Sequence, residues 1–135
     1  MTEPILKVEG ISKGFPGVQA LSDVHLSVSA GEVLVLVGEN GAGKSSLMKI
    51  LSGIYTKDAG HIYFNGAEVD ITSPLHAQQL GVTIIHQEMN LMSDLTVAQN
   101  IYIGREPRNG IFLSETKLNA QTTELLQRLE IALEP

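Results

Sequence analysis

Residues 38–45 read Gly-Glu-Asn-Gly-Ala-Gly-Lys-Ser, a Gly-x-x-x-x-Gly-Lys-Ser run between an apolar stretch and a helical pattern. Small residues let a backbone wrap closely around an anion, because no Cβ stands in the way. Successive N–H groups then converge on the anion, and a helix starting there adds the positive end of its dipole. In that arrangement Lys44 reaches the β- and γ-phosphates as a point charge, and the Ser45 hydroxyl ligates Mg²⁺. The pattern predicts that Gly38, Glu39, Asn40, Gly41, Ala42, Gly43, Lys44 and Ser45 bind the phosphates of a nucleotide, with Mg-ATP the leading ligand.

The flanking elements suit that task. Val33 to Val37 is a continuous apolar run of strand length, as expected for a strand buried on both faces of a parallel sheet. After the glycine loop, Leu47, Ile50 and Leu51 recur at helical spacing, and Gly53 is placed to stop the helix. Upstream, Ile5, Leu6, Val8 and Ile11 form one apolar face, while Val24, Leu26 and Val28 alternate with polar residues. Both stretches predict strands, separated by the turn-rich Gly14-Phe15-Pro16-Gly17. Asn65-Gly66 between short strands signals a hairpin. Pro74 precedes a short helix, and Gly81 to Ile85 reads as a second buried strand running into His86-Gln87-Glu88. Thr96 with Gln99 fits a capping box opening a helix through Ile101. Asn109-Gly110 is a turn. Ser114 caps a last helix with Leu118, Leu125, Leu126 and Leu129 on one face.

Composition narrows the function. The chain has 135 residues, one domain's worth, and 43% are hydrophobic, enough for a packed core. Its net charge of −6 weighs against a protein that coats nucleic acid, but a phosphate loop needs only backbone N–H groups and one lysine. With no cysteine, disulfides and thiolate metal sites are excluded. His25, His61, His76 and His86 lack metal-ligand spacing and read as surface or strand residues. The N-terminus does not have the pattern of a signal peptide, and no apolar run reaches the length of a membrane span. These features fit a chain at a membrane only through a partner.

The loop Gly-Glu-Asn-Gly-Ala-Gly-Lys-Ser-Ser resembles that of ABC-transporter ATPases. Ile11 to Leu21 looks like the family's adenine-stacking segment, His86 to Leu91 like its glutamine loop, and Ala98 to Glu106 is similar to the segment that follows in sugar importers of the ribose/galactose/xylose type. The resemblance covers almost the whole chain. It implies an α/β fold of the P-loop NTPase (ABC ATPase) type, incomplete, with an N-terminal antiparallel β subdomain and phosphate-loop core over 1–94 and the start of a helical subdomain over 95–135. Phe15 then stacks on adenine, Gly38 to Ser46 hold the phosphates and Mg²⁺, and Gln87 senses the γ-phosphate and metal. Phe15 as a core side chain and Gln87 as an ordinary strand-end residue stay open as plainer readings. Glu88 is not assigned as a base, since nothing fixes it near a phosphate.

The resemblance further implies work at the cytoplasmic face of the inner membrane. The partners are membrane-embedded permease subunits, a second nucleotide-binding half or subunit and, indirectly, a periplasmic sugar-binding protein; no nucleic acid is involved. Residues 1–135 hold no Leu-Ser-x-Gly-Gln run and no apolar strand ending in Asp-Glu. The expectation is therefore a part that binds Mg-ATP but hardly hydrolyses it, with apolar strand edges left to self-associate. Two other functions fit the loop: a non-transporter ABC-type ATPase, and a short nucleotide-binding regulatory module.

Overall fold

The computed structural model describes residues 3–41, 43–86 and 91–135. They form two compact units, Met1–Ile85 and His86–Pro135.

The first unit is built on a four-stranded antiparallel sheet. Strand β1 (Leu6–Phe15) lies between β2 (Val18–Val28) and β3 (Ala59–Phe64), and β4 (Ala67–Val69) extends the β3 side. The β1–β2 turn is Pro16-Gly17, where proline sets a negative φ and Gly17 takes φ 80°. The β3–β4 turn is Asn65-Gly66, at φ 50° and 78°, and two positive φ values match the twist of the flanking strands. Helix α1 (Lys44–Leu51) lays Leu47, Ile50 and Leu51 onto the sheet. There they join Val8, Ile11, Leu21 and Ile62 in one core, closed by Ile71 and by Ala77 of α2 (Pro74–Leu80). The Ser73 hydroxyl caps α2 by accepting from the His76 N–H at 3.2 Å.

Helix α1 ends at Gly53 (φ 74°). The Gly53 N–H donates to the Ile50 carbonyl and the Ile54 N–H to the Lys49 carbonyl, the paired bonds of a Schellman motif. A side chain is also impossible at Gly53: its Cβ would fall 2.3 Å from the Ser73 carbonyl oxygen.

Two expected strands do not form. Val33 to Val37 and Gly81 to Ile85 join no ladder among the described residues. A strand exists through the N–H and C=O groups of its neighbour, and no described segment lies in register beside either run. The apolar side chains of 33–37 are exposed instead, Val33 at 88% and Val37 at 90%, and so is Ile85 at 97%, whereas Val82 packs against the core. The sheet present is thus the antiparallel one, and the parallel layer is not built among the described residues.

In the second unit, α3 (Val97–Tyr102) opens with the expected capping box. The Thr96 hydroxyl accepts from the Gln99 N–H at 3.2 Å, and the Gln99 carboxamide accepts from the Thr96 N–H at 2.9 Å. Asn100 fastens the preceding loop: its carboxamide nitrogen donates to the carbonyls of Met92, Leu95 and Thr96, and its oxygen accepts from the Met92 N–H. Strands β5 (Arg108–Asn109) and β6 (Phe112–Leu113) form a small hairpin whose turn is Gly110-Ile111, one residue past the expected Asn109-Gly110, because Asn109 pairs with Phe112 in the ladder. Helix α4 (Glu115–Arg128) is capped by Ser114. Its buried stripe is Leu118, Thr122 and Leu126, not the four leucines expected. Thr122 tolerates burial because its hydroxyl donates to the Leu118 carbonyl at 2.8 Å, whereas Leu129 sits at the C-terminal cap and is exposed.

Gly60 and Gly81 differ in a way that tests the sheet packing. Both hold φ near 93°, but a Cβ at Gly60 would stand 2.5 Å from the Gly10 backbone of β1, while at Gly81 nothing lies within 4 Å. Gly60→Ala should lower stability by at least about 2 kcal/mol through forced separation of β1 and β3. Gly81→Ala should cost about 1 kcal/mol, the left-handed backbone penalty alone. Urea unfolding of the two variants checks the order.

Candidate functional site

The site is assembled around the N-terminus of α1. Gly43 is its N-cap, at φ 84° and ψ −4°, a conformation that favours glycine. The position is also crowded. A Cβ on Gly43 would stand 2.4 Å from the Ala20 carbonyl oxygen and 2.7 Å from the Leu21 Cδ2. The loop therefore reaches the helix by pressing bare backbone against β2, and glycine is required there twice over. Gly41 (φ 90°) is exposed, with open space where a Cβ would stand.

Among the described residues no side chain caps α1, and no acidic residue lies in its first turn. The leading N–H groups of a helix have no partner within it, and the dipole leaves positive potential there. Lys44 adds a full charge. Its ammonium donates to the carbonyls of Gly38 at 2.5 Å and Glu39 at 2.8 Å, which folds the loop over the helix start. Ser45 is exposed on the first turn and Ser46 half-buried. The residues fit an anion with several oxygens. Gly38, Glu39, Asn40, Gly41, Gly43, Lys44, Ser45 and Ser46 are thus all brought to one loop and helix start, while Ala42 lies outside the described residues.

A divalent cation is also compatible with these groups. Ser45 would offer one hydroxyl oxygen on the first turn of α1, and Mg²⁺ is commonly held by one or two protein oxygens plus substrate phosphates. Among the described residues, no three His, Cys, Asp or Glu side chains cluster as a metal cage. Gln87, expected to contribute to metal and γ-phosphate sensing, lies outside the described residues, as does Glu88. His25 and His61 each face a carboxylate on the surface, Asp23 at 3.0 Å and Glu68 at 2.6 Å.

Phe15 closes β1 at the hairpin whose second strand touches Gly43. It is 37% exposed, so it is not a core residue. Its ring meets Tyr55 in a T-shaped contact with centroids 5.2 Å apart, and the Lys13 ammonium lies 5.7 Å from the Phe15 centroid. Asp58 accepts from the Gly14 N–H at 2.8 Å and from the Lys13 ammonium at 2.7 Å. These two bonds, the backbone one first, hold the Asp58 carboxyl below the usual aspartate range. Tyr55 and Asp58 carry no sequence signal for a place at this site. Both lie some forty residues from Phe15 along the chain, and no local spacing connects them.

With the fold and the loop defined, the protein class follows. The ABC transporter family model matches residues 21–134, and the chain belongs to that family. Among solved structures it resembles a nucleotide-free ATP-binding cassette from an ABC transporter, with a TM-score of 0.80 and 27% identity over 96% of this chain and 55% of that one. It also resembles the ADP conformation of such a cassette, with a TM-score of 0.76 and 26% identity over 97% of this chain and 56% of that one.

More particular relatives are proteins described by ribose/galactose/methyl galactoside import and ATP binding. One from Albidiferax ferrireducens is 56% identical over 97% of this chain and 26% of its own length. One from Burkholderia cenocepacia is 55% identical over 99% and 27%. One from Pseudomonas syringae pv. syringae is 52% identical over 97% and 25%. The chain thus spans about a quarter of the length of these relatives.

Proposed function

We propose that this chain binds Mg-ATP at the start of α1, as part of the ATPase that powers import of a sugar such as ribose or galactose. The observation that carries the binding is the uncapped, acid-free N-terminus of α1 with Lys44 folded over it. Phosphate oxygens would take up the free N–H groups, and the Lys44 ammonium would exchange its two carbonyl partners for the β- and γ-phosphates. Ser45 and Gln87 would share the Mg²⁺, and Phe15 would stack on the adenine. The sugar-import reading is supported by the 51–56% identity to the relatives named for it.

The assembly proposed is peripheral, at the cytoplasmic face of the inner membrane. There the closing of two nucleotide-binding halves works on membrane-embedded permease subunits, with a periplasmic sugar-binding protein beyond them. No helix among the described residues is long and apolar enough to cross a membrane, so contact with the bilayer would run through those partners. Hydrolysis is assigned to the assembled protein. Residues 1–135 supply binding, because phosphoryl transfer needs a metal-holding acid and a group that orients water, and no apolar strand here ends in such a pair.

Calorimetric titration of Mg-ATP into this chain and into Lys44→Ala, with phosphate release followed in the same samples, tests the reading. Binding should be present in the parent and lost, at least about tenfold, in the variant, with negligible release in both. Equal binding by the two proteins contradicts the phosphate-loop assignment, and steady release by the parent contradicts the division of labour.

The outward-facing run 33–37 makes a second copy of the chain its expected occupant, since unpaired apolar edges template association. Light scattering across a concentration series should show mass rising above 14.5 kDa. A constant monomer mass at the highest concentration sinks this part of the account.

A further inference from the structure

The nucleobase reading of Phe15 leaves open what holds its ring in place, and the loop after α1 is built to do so. The Lys49 carbonyl accepts from the N–H groups of Ile54 at 2.8 Å and Tyr55 at 3.1 Å, and from the Ser52 hydroxyl at 3.2 Å. Tyr55 is thereby fixed to the end of α1. The Lys49 ammonium also lies 5.2 Å from the centre of the Tyr55 ring. Three residues on, the Asp58 N–H donates to the Ser12 carbonyl at 2.9 Å, while its carboxylate takes the Gly14 N–H and the Lys13 ammonium. Every residue from Ser12 to Phe15 is therefore held by Asp58 or Tyr55.

The detail of Lys13 separates this from an ordinary surface ion pair. Such pairs between exposed side chains contribute little; here Asp58 is 51% exposed, but the Lys13 side chain is only 14% exposed. Its ammonium is shared between the Asp58 carboxylate and the vicinity of the Phe15 ring. Ring position is therefore set from two directions, by the Tyr55 ring and by a cation that Asp58 anchors. The ring stays partly open to solvent, as a stacking surface must.

We propose that Tyr55 and Asp58 are positioning residues for nucleobase recognition, bracing the Phe15 ring from the C-terminal end of the same helix whose N-terminus faces the phosphates. The proposal rests on the reading of Phe15 as the base-stacking side chain. It makes α1 the common ruler for both ends of the nucleotide. A ligand with a planar base at the right distance from its phosphates engages both ends, and an inorganic polyphosphate engages one.

The test is a set of Mg-ATP affinities for the parent protein, Phe15→Ala, Asp58→Ala, Tyr55→Leu and Tyr55→Phe, with the double variant Phe15→Ala/Asp58→Ala. Urea midpoints confirm folding, and the exposed Asp58 site keeps one informative variant should Tyr55→Leu unfold. Phe15→Ala, Asp58→Ala and Tyr55→Leu should each weaken binding roughly three- to tenfold, the scale of one oriented aromatic contact. Tyr55→Phe should bind like the parent, because the ring and not the hydroxyl makes the contact. The double variant should bind no more weakly than Phe15→Ala alone, since Asp58 acts through that ring. Additive losses in the double variant overturn the proposal. So does parent-like binding by Asp58→Ala and Tyr55→Leu while Phe15→Ala is impaired, an outcome that leaves the base-stacking reading standing. Parent-like binding by Phe15→Ala removes that reading, and the proposal falls with it.

Discussion

The close approach of Gly43 to β2 is the contact on which the site depends. Bare backbone at Gly43 lies where a Cβ would collide with the Ala20 carbonyl and the Leu21 side chain. That contact fixes where α1 begins, and the burial of Leu47, Ile50 and Leu51 fixes its orientation on the sheet. Neither constraint suffices alone. A helix packed by its apolar face could still slide by a turn, and a glycine loop without a packed helix could not keep its N–H groups converging. Together they hold an uncapped helix terminus, a charge and a hydroxyl in one place, next to the hairpin that ends in Phe15.

The antiparallel sheet is what makes the hairpin a dependable neighbour. β1 is paired on both sides, by β2 and by β3, and the Gly10–Gly60 crossing lets β1 and β3 approach closely. The loop leaving α1 then returns to β1 through Asp58 before β3 starts. Helix and hairpin are joined twice, at the start of α1 through Gly43 and after its end through Tyr55 and Asp58. A nucleotide spanning the distance from phosphate to base would meet two surfaces whose spacing is set by one helix.

Local chemistry was readable from the residues themselves. The Asn65-Gly66 hairpin, the Thr96–Gln99 capping box, the Ser114 cap and the Gly53 helix stop all depend on residues within a few positions of each other, and the structure has each of them. The run 38–46 is likewise local, and its described residues lie together at the start of α1. What escaped was non-local. The runs 33–37 and 81–85 have the composition of buried strands, but burial is conferred by neighbours, and among the described residues no strand lies beside them. Tyr55 and Asp58 became candidates only when the fold brought them to β1.

The start of α1 is proposed to read the nucleotide's phosphates. Backbone amide NMR of the labelled chain, with Mg-ATP added stepwise, tests it most directly. The largest shifts are expected on Gly41, Gly43, Lys44, Ser45 and Ser46, with a second, smaller group at Gly14, Phe15 and Tyr55. Saturable shifts concentrated elsewhere, for example on α4, with the 41–46 amides unmoved, would contradict it.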